Sequence, residues 1–383
     1  MTIDLGTIIK AYDVRGTVPD QLSPDVARAI GAAFARVVAL PEGARRVVIG
    51  HDMRDSGPAL VEAFTRGVTG EGVDVVRIGL CSTDGLYHAS GTLDAPGAMF
   101  TASHNPAVYN GIKLCRAGAR PVGQDTGLAE VRELAQELLD APSVEPVETT
   151  NSSVEPVETT NRVSTSSTSD GGVSTGSTSE QDTLGDYAAF LRGLVDLSGI
   201  RPLKVVVDAG NGMAGYTVPA VLGTGAGLPV LPLDVVDLYF ELDGTFPNHE
   251  ANPIEPENMR DLQAKVVEVG ADVGLAFDGD ADRCFLVDER GGIVSPSVLT
   301  ALIAARELRR EPGATVIHNL ITSRAVPEIV TELGGTPVRT RVGHSFIKAT
   351  MADSGAIFGG EHSGHFYFRD FWRADSGMLA ALH

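Results

Sequence analysis

The chain of 383 residues is 43% hydrophobic and 21% charged, ordinary for a globular protein able to bury several cores. Its 30 Lys and Arg against 50 Asp and Glu give a formal charge of −20, which excludes nucleic-acid and anionic-membrane binders, since both need a basic surface. Three dispersed cysteines (Cys81, Cys115 and Cys284), no apolar run of 18 residues and no basic leader exclude a disulfide framework, a zinc knuckle, a membrane span and a secretion signal, and predict a cytoplasmic protein.

Ser23-Pro24 sets an N-cap before a proline at the first helical position, and Val26, Ile30, Phe34, Val37 and Val38 follow at helical spacing. Residues 46–50 (RVVIG) form an apolar run of strand length. Residues 56–70 return to a helix, with Leu60, Val61, Phe64 and Val68 on one face, and 73–78 and 97–101 read as strands. This alternation predicts an α/β domain with a largely parallel sheet over residues 1–140.

Residues 141–182 break the rhythm. SVEPVETTN occurs at 143–151 and again at 153–161, no aromatic residue is present, and seven acids against Arg162 give a charge of −6. Such a stretch cannot bury enough apolar surface to offset ordering entropy, so it is expected to be a disordered low-complexity linker. The α/β pattern resumes with strands at 204–208 and 272–277, a helix near 257–269, and a weaker strand at 230–236 that Pro232 assigns to an edge. A helix near 296–310, a strand at 314–319 and helices from Ser323 and Gly343 complete the pattern. The expected organisation is three consecutive α/β domains with mixed, mainly parallel sheets, over 1–140, 183–295 and 296–383.

Four segments carry chemistry. Asp278-Gly-Asp280-Ala-Asp282-Arg283 gathers three carboxylates in a tight turn between strand-like runs; unpaired they would repel, and a hard cation with oxygen ligands relieves them. An EF-hand is excluded because Arg283 sits where that loop needs glycine and the flanks are strands. Thr101-Ala-Ser103-His104-Asn105-Pro106 offers a serine nucleophile at the mouth of a strand, outside any GxSxG elbow. Gly210-Asn-Gly212-Met-Ala-Gly215 matches a dinucleotide fingerprint, but Asp208-Ala209 separates it from its strand, so a structural turn is the stronger reading. Gly360-Glu361-His362-Ser363-Gly364-His365 concentrates groups able to bind a polyhydroxylated ligand.

Together TASHNP, DGDADR and GEHSGH, with Tyr12-Asp-Val-Arg15-Gly16, Gly111-Ile-Lys113 and Val342-Gly-His344, resemble the α-D-phosphohexomutase superfamily, and within it the bacterial phosphomannomutase/phosphoglucomutase branch. The resemblance covers all of the chain but the linker. It implies interconversion of hexose 6-phosphate and hexose 1-phosphate, of mannose or glucose, through a phosphoserine and a hexose 1,6-bisphosphate. Ser103 would carry the phosphate, and Asp278, Asp280 and Asp282 would hold Mg²⁺ with a Ser103 phosphate oxygen. Arg15, His104 and Arg283 would supply positive charge, and Lys113 would act as general acid/base. Tyr12, His344, Glu361, Ser363 and His365 would contact the sugar.

Two departures stand out. The 141–182 insertion lies outside the family's common core, and nothing matches the family's fourth domain, whose loop clamps the substrate's non-reacting phosphate. The last residues (GMLAALH) are expected to be a helix cut short, with domain IV absent. The alternatives are accordingly a truncated, weakly active or non-catalytic remnant, or a phosphoglucosamine mutase; a NAD-dependent oxidoreductase is a more remote reading.

Overall fold

A computed structural model describes residues 3–141 and 175–383. Domain I holds β1 (Val14–Thr17), α1 (Pro24–Phe34), β2 (Arg46–His51), α2 (Gly57–Gly70), β3 (Asp74–Leu80), α3 (Thr83–Leu93), β4 (Gly97–Phe100), β5 (Tyr109–Arg116), β6 (Arg120–Pro121), α4 (Leu128–Asp140) and β7 (Thr178–Glu180). Its sheet runs β1-β5-β4-β2-β3-β7, with β2, β3, β4 and β7 parallel and β5 antiparallel to its neighbours. As the sequence requires, the Ser23 hydroxyl accepts from the Val26 N–H at 3.3 Å and Pro24 opens the helix. The helices α1 and α2 approach so closely that a Cβ on Gly67 would lie 2.1 Å from the Arg28 carbonyl oxygen, so a side chain here would force them apart.

The stretch expected to be linker ends earlier than predicted. Residues 142–174 lie outside the described residues, but 175–182 belong to domain I. Gly176 N–H donates to the Thr69 carbonyl at 2.8 Å, Ser177 N–H donates to the Asp74 carboxylate at 2.7 Å, and β7 pairs with Val75–Arg77 of β3. Composition missed this because the pairing is made by backbone groups, to which Thr, Ser and Glu contribute as well as any residue.

Domain II comprises α5 (Leu184–Leu194), β8 (Leu203–Asp208), α6 (Ala214–Val221), β9 (Leu233–Leu238), α7 (Arg260–Val269), β10 (Val273–Phe277), β11 (Cys284–Asp288) and β12 (Ile293–Val294), in sheet order β12-β11-β10-β8-β9. The strand expected over 230–236 is β9, which begins at Leu233 just after Pro232 and lies at the sheet edge. Domain III comprises α8 (Pro296–Arg310), β13 (Thr315–Asn319), α9 (Ala325–Glu332), β14 (Thr336–Thr340), α10 (His344–Ser354), β15 (Phe358–Gly360), β16 (Phe366–Phe368) and α11 (Gly377–Leu382), in sheet order β14-β13-β15-β16. Domain I has a core of its own around Phe34, Phe64 and Phe100. One continuous apolar cluster joins Tyr87 of domain I, Phe277 of domain II and Phe358 and Leu379 of domain III.

A single buried carboxylate marks where the three domains meet. Asp84, in the first turn of α3, accepts from the Tyr187 hydroxyl of α5 at 2.9 Å and from the Ser376 hydroxyl at the N-cap of α11 at 2.6 Å. Burial pushes Asp84 up to about 6 despite these donors. A carboxyl raised in the folded state binds its proton more tightly there, so its contribution is complete below about pH 4 and is lost as pH rises through about 6. The stability advantage of the native chain over Asp84→Asn should therefore shrink by roughly 2–3 kcal/mol between pH 4.5 and 7, read from paired melting curves; a pH-independent difference would show that Asp84 is ionised throughout.

Candidate active site

Three loops that follow strands at their carboxyl ends meet in one place: 101–106 after β4, 278–283 after β10 and 361–365 after β15. This is where open α/β sheets present ligands. The β10–β11 connection is a hairpin closed by the pair Phe277↔Cys284, which turns Asp278, Asp280 and Asp282 into one buried cluster, with one oxygen from each within 4.8 Å of the others. That geometry excludes a helix-flanked EF-hand.

Ser103 takes a left-handed backbone (φ +50°), fixed by its N–H donating to Thr101 Oγ1 at 2.8 Å. Its hydroxyl donates to Asp278 Oδ2 at 2.7 Å and accepts from Arg283 Nη2 at 3.0 Å, while Arg283 Nε donates to Asp278 Oδ2 at 2.9 Å. Serine, carboxylate and guanidinium thus form a closed triangle across domains I and II. Arg15, on β1, donates to the Ala102 carbonyl and the Asn105 side chain and pairs with Asp13 at 2.8 Å.

Lys113, on β5, reaches across the domain boundary to Asp280 Oδ2 and Asp282 Oδ2, 2.6 Å from each. Burial opposes its charge, but the two carboxylates outweigh burial and hold it well above the usual lysine range. Burial likewise pushes Asp278 up to about 7 against the pull of Arg283, whereas Asp280 is drawn down by Lys113 in spite of its burial. Lys113 does not satisfy every oxygen: Asp280 Oδ1 and Asp282 Oδ1 are buried without a hydrogen-bond donor. Two orphaned acceptors on adjacent carboxylates fit a hard divalent cation.

His104 differs from expectation. Burial and the neighbouring guanidiniums of Arg283 and Arg15 push it down to about 3, so the imidazole is neutral, and of the three expected cations only the arginines are charged. Its Nδ1 lies 3.1 Å from Ser103 Oγ and accepts from Arg283 Nη2.

These groups border a cavity of about 190 Å³, whose walls include Tyr12, Arg15, Ser103, His104, Lys113, Asp282, Arg283 and His365. Asp278 and Asp280 lie beneath its floor. The GEHSGH loop is joined to the acidic turn by a bridge between Arg283 and His365, with the Cys284 N–H donating to the Gly364 carbonyl at 3.1 Å. Its His365 Nδ1 is 3.0 Å from Ser363 Oγ and its Nε2 is 3.5 Å from Asp282 Oδ1; burial opposes charging of this ring, and Asp282 raises it nonetheless. Glu361 does not border the cavity. It is buried and accepts from Asn319 at 3.1 Å, Gly343 N–H at 3.2 Å and Tyr367 at 2.8 Å. Ser363 also stands behind His365 rather than on the wall. The backbone of His344 opens α10, and its side chain lies outside the described residues.

Sequence reasoning missed four residues here. Buried Arg54 pairs with Asp52 at 3.3 Å and donates to the carbonyls of Ser103, Asn105, Pro106 and Tyr109 at 2.7–3.0 Å, fastening the whole serine loop. Thr83 donates to Asp280 Oδ2 at 2.6 Å. Lys348 of α10 and Asp375 pair at 2.8 Å in the cavity wall. A visible signal existed only for Arg54, where Asp52-Met-Arg54 directly follows an apolar strand. The glycine fingerprint at 210–215 is a structural turn: a Cβ on Gly212 would lie 2.7 Å from the Gly279 carbonyl oxygen and one on Gly215 2.2 Å from that of Phe240. It buttresses the acidic loop and has no room for a dinucleotide.

A protein from Xanthomonas campestris pv. campestris described as "Phosphohexose mutases" is 41% identical over 375 residues, 97% of this chain and 75% of that one. The Escherichia coli K12 phosphomannomutase is 38% identical over 378 residues, 98% of this chain and 76% of that one. The crystal structure of a phosphoglucomutase/phosphomannomutase family protein from Burkholderia thailandensis superposes with a TM-score of 0.83 at 32% identity, covering 100% of this chain and 76% of that one. Models of phosphoglucomutase/phosphomannomutase α/β/α domains I, II and III match residues 6–139, 186–292 and 296–383, so the chain belongs to the phosphoglucomutase/phosphomannomutase family and is a phosphohexomutase.

Proposed function

We propose that the chain interconverts hexose 6-phosphate and hexose 1-phosphate, with mannose or glucose as the sugar, through phosphorylated Ser103 and a hexose 1,6-bisphosphate. The observation that carries this is the triangle of Ser103, Asp278 and Arg283 at a cavity, beside a carboxylate trio with two buried oxygens that no hydrogen-bond donor satisfies. The relatives' names support the reaction class. The three cysteines are buried thiols, which supports a reducing cytoplasm, and among the described residues no helix is long and apolar enough to cross a membrane.

In the transfer, the bond from phosphorus to Ser103 Oγ breaks as one forms to a sugar hydroxyl, which gives up its proton while Oγ takes one up. Arg283 already donates to Oγ, and Arg15 stands on the same wall, so their charges need no reorganisation as negative charge shifts. Lys113, held charged at the cavity edge, is the general acid/base: it gives the proton that Oγ takes up and takes the one that the sugar hydroxyl releases, ending charged as it began. Arg54 keeps the serine loop from yielding while the phosphoryl group moves. Asp278, Asp280 and Asp282 would hold Mg²⁺, which when bound neutralises phosphoryl oxygens. The return of the other phosphate to Ser103 repeats these roles with the sugar reversed.

Ser103→Ala should abolish turnover and phosphate uptake. Native chain treated with hexose 1,6-bisphosphate should carry one phosphate, mapped by peptide mass spectrometry to the loop containing Ser103; a fully active alanine variant would refute the assignment. Asp280→Asn removes a charged oxygen donor and one orphaned acceptor, so Mg²⁺ affinity by calorimetry should fall roughly 10- to 100-fold or more, with activity falling in parallel. Undiminished activity in excess chelator would overturn the metal's role.

A further inference from the structure

Every donor of the Arg54 guanidinium is used within domain I, so only the flat faces of the group remain open. Nε donates to Asp52 at 3.3 Å, Nη1 to the Pro106 and Tyr109 carbonyls at 3.0 and 2.9 Å, and Nη2 to those of Ser103 and Asn105 at 3.0 and 2.7 Å. Domain II takes a face. The Arg54 Cζ lies over the Phe246 ring, 5.1 Å from its centroid. Two residues earlier the chain crosses the backbone of Arg54, where a Cβ on Gly244 would lie 2.9 Å from the Arg54 Cα. Residues 243–248 thus form a hook from domain II over the residue that fastens the serine loop.

The hook is stiff. Asp243 Oδ1 accepts from the Thr245 N–H and hydroxyl at 2.8 and 2.6 Å, and the Asp243 carbonyl accepts from the Phe246 N–H at 3.1 Å. Phe246 is half-buried in a left-handed backbone (φ +53°), a strained conformation for a bulky side chain that persists only where its neighbours fix it. The base of the hook is tied to Asn211. The Asn211 carbonyl accepts from the Asp243 N–H at 3.0 Å, its amide donates to the Glu241 carbonyl at 2.9 Å, and its Oδ1 accepts from Asn248 at 2.8 Å. From there the glycine turn leads to the acidic loop, since the Met213 N–H donates to the Gly279 carbonyl at 2.9 Å. Gly279 in turn presses on the serine loop: a Cβ there would lie 2.4 Å from the Ser103 carbonyl oxygen. These contacts close a ring, from Ser103 through Gly279, Met213, Asn211 and Phe246 to Arg54 and back to Ser103. The acidic turn and the serine loop are therefore registered against each other twice, once directly and once through the hook.

We propose that Phe246 is a positioning residue for phosphoryl transfer, which carries the position of the acidic turn to the serine loop through the face of Arg54 and so holds Ser103 Oγ against Asp278 and Arg283. The proposal rests on the reading of Ser103 as the residue that carries the phosphate. A tilt of the guanidinium plane moves four carbonyls of one loop together, and small misplacements of a reacting atom cost large factors in rate. Phe246 is not part of the cavity wall, so its effect falls on rate and not on affinity.

The test follows, by intact mass, the rate at which Ser103 takes up phosphate across a range of hexose 1,6-bisphosphate concentrations. The chains compared are native, Phe246→Leu, Phe246→Tyr, Arg54→Gln and the double variant F246L/R54Q. Leucine keeps apolar bulk but has no ring face, so its maximal rate should fall roughly 3- to 30-fold, with the half-saturating concentration changing less than about 2-fold. Phe246→Tyr offers the same face and should keep the native rate. The ³¹P resonance of phosphorylated Ser103 should shift in Phe246→Leu and stay in place in Phe246→Tyr. In the Arg54→Gln background the further loss from Phe246→Leu should shrink to less than about 2-fold, because the two act as one unit. Should Arg54→Gln fail to fold, the leucine and tyrosine comparison decides alone. A native rate in Phe246→Leu, equal losses in the leucine and tyrosine variants, or an undiminished loss in the Arg54→Gln background would overturn the proposal while leaving the mutase reading intact. If the native chain takes up no phosphate at Ser103, the mutase reading falls and this proposal with it.

Discussion

Burying three carboxylates in one turn is the constraint on which the rest of the site depends. Asp278, Asp280 and Asp282 sit in full burial within one short turn, and their own domain supplies only Arg283 as a buried counter-cation. Unpaired charge at that depth costs several kcal/mol per ion, so the turn is tolerable only with charge drawn from elsewhere. Lys113 of domain I and His365 of domain III provide it, and Thr83 of domain I adds a hydroxyl donor to Asp280. The domain interfaces are thus electrostatically compulsory: the loops that must meet for phosphoryl transfer are the ones that must meet for domain II to be neutral.

The same economy explains why the site is stiff. Ser103 is held from below by Asp278 and Arg283 and from behind by Arg54, whose guanidinium spends its donors on four carbonyls of one loop. A hydroxyl so placed has little freedom to search for a partner, which is the form of preorganisation that phosphoryl transfer rewards. The Gly360–His365 loop is braced differently, by a buried glutamate. Glu361 ties Asn319, Gly343 and Tyr367 together, so its charge sets the shape of the loop and leaves His365 to face the cavity.

How much of this was legible depends on whether a feature was local. The acidic turn, the serine loop and the helix begun by Ser23-Pro24 are written in consecutive residues, and their chemistry follows from spacing alone. The edge position of β9 followed from one proline. Lys348 and Thr83 were not legible, because each acts on a group far away in sequence and a lone lysine or threonine carries no periodic mark, and Arg54 was marked only by its place in Asp52-Met-Arg54 after an apolar strand. The environment of His104 was not legible for the same reason: Arg283, 179 residues away, donates to its ring and with burial holds it below the usual histidine range. The β7 strand escaped because its composition is that of a loop and only its partner, β3, makes it a strand.

That strand changes what the repeat-rich stretch is. The chain leaves domain I at the end of α4, and by Gly176 it has returned to domain I, where β7 is stitched to β3 before α5 begins. The covalent link between domains I and II is therefore the three residues between Glu180 and Leu184, and the described residues on both sides of 142–174 belong to domain I. A change in chain length between Asp140 and Gly176 therefore starts and finishes on domain I, and the link that carries the chain on to the domain of the acidic turn stays three residues long.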